Sequence, residues 1–138
     1  MAKTRKRALG DVGEAIARVY LERRGFTILE QNYLKPWGEI DLIAKDAGGE
    51  LRFVEVKSVA HTFGKVLGTR ETLVGEGKLR PEENMHERKV RRLYRAIQTY
   101  LLENKLSAET VWKIDLACVY VDMDARRGRV EMLENIVI

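Results

Sequence analysis

Two short segments, Gly38-Glu-Ile-Asp-Leu-Ile-Ala44 and Phe53-Val-Glu-Val-Lys-Ser58, constrain the fold of this chain more than any other feature. Each alternates apolar and polar residues, the pattern of a β-strand in which side chains two apart share a face. Between them Asp46-Ala-Gly-Gly-Glu50 is a turn signal, so an antiparallel hairpin is expected. Strict alternation puts Glu39 and Asp41 on one face of the first strand, and Glu55 and Lys57 together on the second. Ile40, Leu42, Ala44, Val54 and Val56 then form the opposite, core-forming face. Asp41, Glu55 and Lys57 are expected to converge.

The rest of the chain supplies layers for such a hairpin. From about Ala8 to Arg24, apolar residues Leu9, Val12, Ile16, Val19 and Tyr20 recur at helical spacing, and Gly25 ends the run as a C-cap does. Phe26 to Tyr33 reads as a first strand, and Pro36-Trp37-Gly38 as the turn into the second. A long helix is expected from about Glu82 to Asn104, with Val90, Leu93, Tyr94, Ile97, Tyr100 and Leu101 as its apolar stripe. Val111 to Val121 reads as a strand, and Arg126-Arg-Gly128 turns into a short last one, Arg129 to Leu133. The order helix, three strands, helix, one or two strands implies an α/β fold with a mixed sheet flanked by helices. One domain over residues 1–138 is expected. Residues 1–7 read as a flexible basic tail. Residues 62–83, broken by Gly64, Gly68, Gly75 and Gly77, read as a mobile loop beside the site.

Net charge is +4, and its placement matters more than its size. Lys3, Arg5, Lys6 and Arg7 form one cluster, and Arg88, Lys89, Arg91, Arg92 and Arg95 form another. Clustered cations are the footprint of a phosphate-backbone binder, although solvated helix faces look the same. No apolar run approaches the roughly 18 residues of a membrane span. The basic start has no apolar stretch after it, so no signal peptide is expected. The single cysteine, Cys118, lies in an apolar run and reads as a small buried hydrophobe, which leaves the cytoplasm as the expected compartment.

The chemistry follows from hard oxygen donors beside an ammonium group. Asp41 and Glu55 on neighbouring strands suit Mg²⁺ or Mn²⁺, which take carboxylates together with waters and phosphate oxygens. Lys57 is placed to position an attacking water or to stabilise charge developing on a phosphate. The structural alternative is an exposed cross-strand salt bridge. Glu14, between the small residues Gly13 and Ala17, reads either as a further ligand reaching the same cleft or as an ordinary exposed glutamate. Glu39 reads as a supporting residue or as a cap for the turn at Gly38. Lys89, Arg88, Arg91, Arg92 and Arg95 would clamp flanking phosphates. His61 and His86 lack metal-ligand spacing and read as surface residues.

Taken together, Gly10-x-x-Gly13-Glu14-x-x-Ala17, the two strand motifs, and Lys89…Leu93…Ala96…Tyr100-Leu101 resemble the bacterial YraN-like family of uncharacterised proteins. That family is similar in turn to archaeal Holliday-junction resolvases within the PD-(D/E)xK, restriction-endonuclease-like superfamily. The resemblance implies a divalent-metal nuclease centre, with Asp41 as the motif's first acid, Glu55 as its second, Lys57 as its lysine and Glu14 as the helical glutamate. Ile40 stands where a proline usually precedes the first acid. DNA, branched in the resolvase case, is the implied substrate, and a homodimer the implied assembly. The alternatives are a non-catalytic nucleic-acid-binding module on the same fold and a small-molecule phosphodiesterase.

Overall fold

The computed structural model describes residues 4–63 and 87–136. Residues 64–83 of the expected loop, His86, residues 1–3 and the first residues of the expected long helix lie outside the described residues. Helix α1 (Arg5–Arg23) leads into β1 (Thr27–Lys35), β2 (Gly38–Lys45) and β3 (Leu51–Ala60). Helix α2 (Glu87–Glu103), β4 (Trp112–Asp122) and β5 (Arg127–Leu133) follow. The five strands form one sheet in chain order, antiparallel throughout except for the parallel pair β3–β4. A parallel pair needs a long crossover, and α2 lies on it. The expected α/β order is therefore the one adopted.

Both faces of the sheet are covered. On one side Leu93, Ile97 and Tyr100 of α2 pack with Tyr33, Ile40, Ile43, Phe53 and Ile114. On the other, Ala17 and Leu21 of α1 pack with Leu42, Val54, Ala117, Val119 and Val121. Cys118 is buried in β4, as its apolar run implied.

Helix α1 departs from its expected form in two ways. It starts at Arg5, where the Thr4 hydroxyl accepts the Arg7 amide at 3.0 Å as an N-cap, so residues 5–7 are the first helical turn and not a flexible tail. Its fully buried line is Gly13, Ala17 and Leu21, at four-residue spacing. The larger residues Leu9, Val12, Ile16 and Tyr20 only flank that line, and Val19 faces solvent. Small residues win the central line because the helix lies against the sheet backbone. A Cβ on Gly13 would collide with the Ser58 side chain of β3. The helix ends as its glycine predicts: Gly25 has φ +90°, with the Gly25 amide donating to Glu22 and the Phe26 amide to Leu21.

Strand β2 breaks the expected alternation. Ile40 packs on the α2 side, whereas Leu42 packs on the α1 side, although they are two residues apart. The pattern flips at Asp41, so Ile40, Leu42 and Ala44 do not share one face. The partner strand supplies the reason. Asn32 lies between the paired positions Gln31↔Leu42 and Tyr33↔Ile40, hence opposite Asp41, and has φ 53°. A left-handed residue rotates the local pleat, and asparagine tolerates that conformation better than most residues.

At the far end of β3, Arg52 and Asp115 form a buried, two-pronged ion pair, with nitrogen–oxygen distances of 3.0 and 2.7 Å. Asp46 and Glu134 also contact this guanidinium, and the Asn135 amide donates to Asp115.

Candidate active site

The site begins where β2 and β3 part. Their hydrogen-bonded ladder runs from Lys45↔Leu51 to Leu42↔Val54. Beyond it β2 stays paired to β1 as far as Gly38, and β3 stays paired to β4 as far as Ala60. Asp41 and Glu55 are the first residues inside this fork, and their side chains replace the missing rungs. The Val56 amide donates to Asp41 Oδ2 at 2.7 Å, and the Asp41 amide donates to Glu55 Oε2 at 3.4 Å. Each carboxylate is thereby held by backbone.

The fork opens into a cleft of about 490 Å³ walled by both helices. Its floor and acidic wall are Glu14, Glu39, Asp41 and Glu55, with Lys57 and Ser58 beside them. Lys57 shares the strand face of Glu55 and is half-buried. Its rim is Lys6, Arg88, Lys89 and Arg92. Two glycines let the helices come this close: Gly13 at Ser58, and Gly38, whose Cβ would strike the Arg92 backbone carbonyl. The sequence-predicted Asp41, Glu55, Lys57, Glu14, Glu39, Arg88, Lys89 and Arg92 are all brought to this one cleft. Arg91 and Arg95 are not among its lining residues. Arg91 instead pairs with Glu87, one turn earlier on α2, at 3.4 Å.

Sequence reasoning missed two participants. Lys6, expected in a tail, lies on α1, where Lys6, Gly10 and Glu14 stand four apart and all line the cleft. That spacing was visible in the sequence once the helix is started at Arg5. Asn32, whose side chain hydrogen-bonds Glu14, carried no strand-pattern signal. His61, expected to be an isolated surface residue, has its ring 4.6 Å from that of Phe63 and 5.6 Å from that of Tyr120.

Electrostatically the floor of the cleft gathers carboxylates beneath a cationic rim. Burial pushes the Glu55 carboxyl up to about 8, reinforced by the charge of Asp41 and opposed by Lys89. Asp41 is raised by burial too, against the pull of the Val56 amide and of Lys89. Glu14 is raised by burial and by Asp41, and the Asn32 hydrogen bond opposes this. Among the described residues neither Asp41 nor Glu55 makes an ion pair. A buried and a half-buried carboxylate side by side with no ion pair are costly, and a divalent ion would offset that cost. Among the described residues no three His, Cys, Asp or Glu side chains are gathered tightly enough to cage a metal. The donor set therefore fits an open site of the Mg²⁺ kind, in which one or two carboxylates share the ion with waters and phosphate oxygens.

Comparison with known proteins matches residues 13–119 to the model of uncharacterised protein family UPF0102. The chain belongs to that family. A relative from Moorella thermoacetica is 34% identical over 136 residues, 98% of either chain. Another from Chloroflexus aurantiacus is 34% identical over 134 residues, 97% of this chain and 93% of its own. A third, from Thermotoga petrophila, is 39% identical over 93 residues, 67% of this chain and 70% of its own. All three carry the UPF0102 family name, and the YraN-like resemblance is thereby borne out. The matched region contains the whole acidic wall, from Glu14 to Glu55, and the α2 rim, while Lys6 precedes it. No helix among the described residues is long and apolar enough to cross a membrane.

Proposed function

We propose that the chain is a Mg²⁺- or Mn²⁺-dependent endonuclease that hydrolyses phosphodiester bonds of DNA at the fork between β2 and β3. The observation that carries this reading is the carboxylate pair of half-buried Asp41 and buried Glu55, held by backbone amides at the floor of a cleft with a cationic rim. Asp41 and Glu55 would hold the ion, which when bound polarises the scissile phosphate and acidifies water. Lys57 sets a positive charge beside Glu55, where negative charge develops on the phosphate oxygens. Glu14, steadied by Asn32, and Glu39 complete the acidic wall. Lys6, Arg88, Lys89 and Arg92 hold the phosphates on either side of the bond. A branched substrate and a homodimer belong to this proposal on the resolvase resemblance.

One observation favours the second reading, a module that binds nucleic acid without cutting it: among the described residues no third carboxylate is close enough to complete a cage. The metal separates the two. A panel of linear, flapped and four-way DNA with Mg²⁺ or Mn²⁺ is cut by the wild-type chain and not by the Asp41→Asn variant, while both bind equally in EDTA. Absence of cleavage with either ion, across the panel, leaves the binding module.

A further inference from the structure

The β1–β2 turn holds an aromatic surface that the cleft does not use. Trp37 is 38% exposed, a large apolar side chain left open to solvent. It is nevertheless fixed. Its indole N–H donates to Thr99 Oγ1 at 2.8 Å, and the Thr99 hydroxyl donates in turn to the Arg95 carbonyl at 2.8 Å. Pro36 restricts the backbone before it, and Gly38 after it abuts the Arg92 carbonyl. The ring therefore stands against α2 in one orientation with little ordering cost left for a ligand to meet.

The helix it stands on is basic along one line. Arg88, Arg92, Arg95 and Thr99 are spaced four, three and four residues apart, which puts them on a single face of α2. Arg88 and Arg92 line the cleft. Among the described residues the guanidiniums of Arg88, Arg92 and Arg95 make no ion pair, unlike that of Arg91. From Arg92 to Thr99 the helix rises about 10 Å, roughly three stacked nucleotides of one strand. Cations that track a backbone and end at a rigid π-face are what unpaired nucleotides require, because bases inside a duplex are already stacked.

Resting on the nucleic-acid reading above, we propose that Trp37 is a stacking platform for an unpaired base, so that this site takes DNA with a single-stranded segment beside the bond to be cut. Arg92 and Arg95 lead that segment from the cleft to the indole.

Binding is measured in EDTA, where no cutting occurs, with an oligodeoxythymidine and with a blunt duplex. Trp37→Ala is expected to weaken the single strand about tenfold and the duplex less than twofold. Trp37→Phe, which keeps a π-face but loses the bond to Thr99, stays near wild type. Trp37 emission is quenched by the single strand, and Trp112, set among Phe53 and Tyr94, is the only other tryptophan. Equal weakening of both ligands, weakening of neither, or a Phe variant as poor as Ala overturns the platform and leaves Trp37 as a clasp between turn and helix. Asp41-dependent cleavage of flapped DNA, assayed in parallel, separates the failures. If it persists, only the platform falls. If the wild type neither binds nor cuts DNA, both fall.

Discussion

The Val56 amide lies 2.7 Å from Asp41 Oδ2, and this bond stands where a backbone rung of the β2–β3 ladder would otherwise be. A side chain has replaced a carbonyl as the acceptor, so the strands separate while the orphaned amide stays satisfied. The fork and the acidic site are one device. Asp41 cannot be changed freely without disturbing both, which is why Asn, able to accept the same hydrogen bond, is the informative substitution. Loss of cleavage by at least about a hundredfold is expected from it, with the melting temperature little changed.

The raised Glu55 carboxyl makes stability fall with pH. Its folded value of about 8 lies above the unfolded value near 4.5, so its contribution is complete below about pH 4.5 and lost as pH rises through 8. The expected loss is on the order of a few kcal/mol. Glu55→Gln should therefore melt above the wild type at pH 8.5 and alongside it at pH 4.5. Mg²⁺ or Mn²⁺ should raise the wild-type melting temperature at pH 8.5 and leave the variant's where it was. Parallel thermal melts across that range, with and without metal, decide the point.

Gly38 and Gly13 both admit a helix to the sheet, but their neighbours differ. A Cβ on Gly38 meets the Arg92 backbone, which cannot swing away, whereas one on Gly13 meets the Ser58 side chain. Gly38→Ala should cost at least about 1–3 kcal/mol. Gly13→Ala should cost less, and Ser58→Gly should relieve it in the double variant. Chemical denaturation of the four proteins gives the coupling directly.

Arg52 and Asp115 should show a buried charge pair's asymmetry. Arg52→Met alone strands Asp115 at 0% exposure and should cost about 3–5 kcal/mol. Arg52→Met with Asp115→Leu should recover much of that. A double variant as unstable as the single one would mean that the Asn135 amide and Asp46 depend on the pair more than it depends on itself.

The cationic rim is separable from the rest of α2. Removing Arg88, Arg92 or Lys6 should each lower the salt dependence of DNA binding by a little under one unit of log–log slope. Arg91→Gln, on a residue paired to Glu87 and off the cleft, should leave it unchanged. Titrations in EDTA between 50 and 200 mM salt, on the order of the range where this effect is large, test it.

Local periodicity carried most of the fold. Gly38–Lys45 and Leu51–Ala60 are strands, and Glu55 and Lys57 share a face, because alternation and a turn at Asp46 are properties of neighbouring residues. The helix stop at Gly25, which follows the capping residue Arg24, was legible for the same reason. What alternation could not show is the reversal at Asp41, since it depends on Asn32 turning left-handed on a different strand. Nor could it bring Lys6 to Arg88, Lys89 and Arg92, about eighty positions away, which happens only because two glycines bring α1 and α2 onto the two mouths of one fork. The chain alone determined which residues carry the acids, the lysine and the positive charge. Tertiary structure decided that they share a cleft, because burial, strand parting and helix approach are set by contacts between segments, and no short-range pattern encodes those.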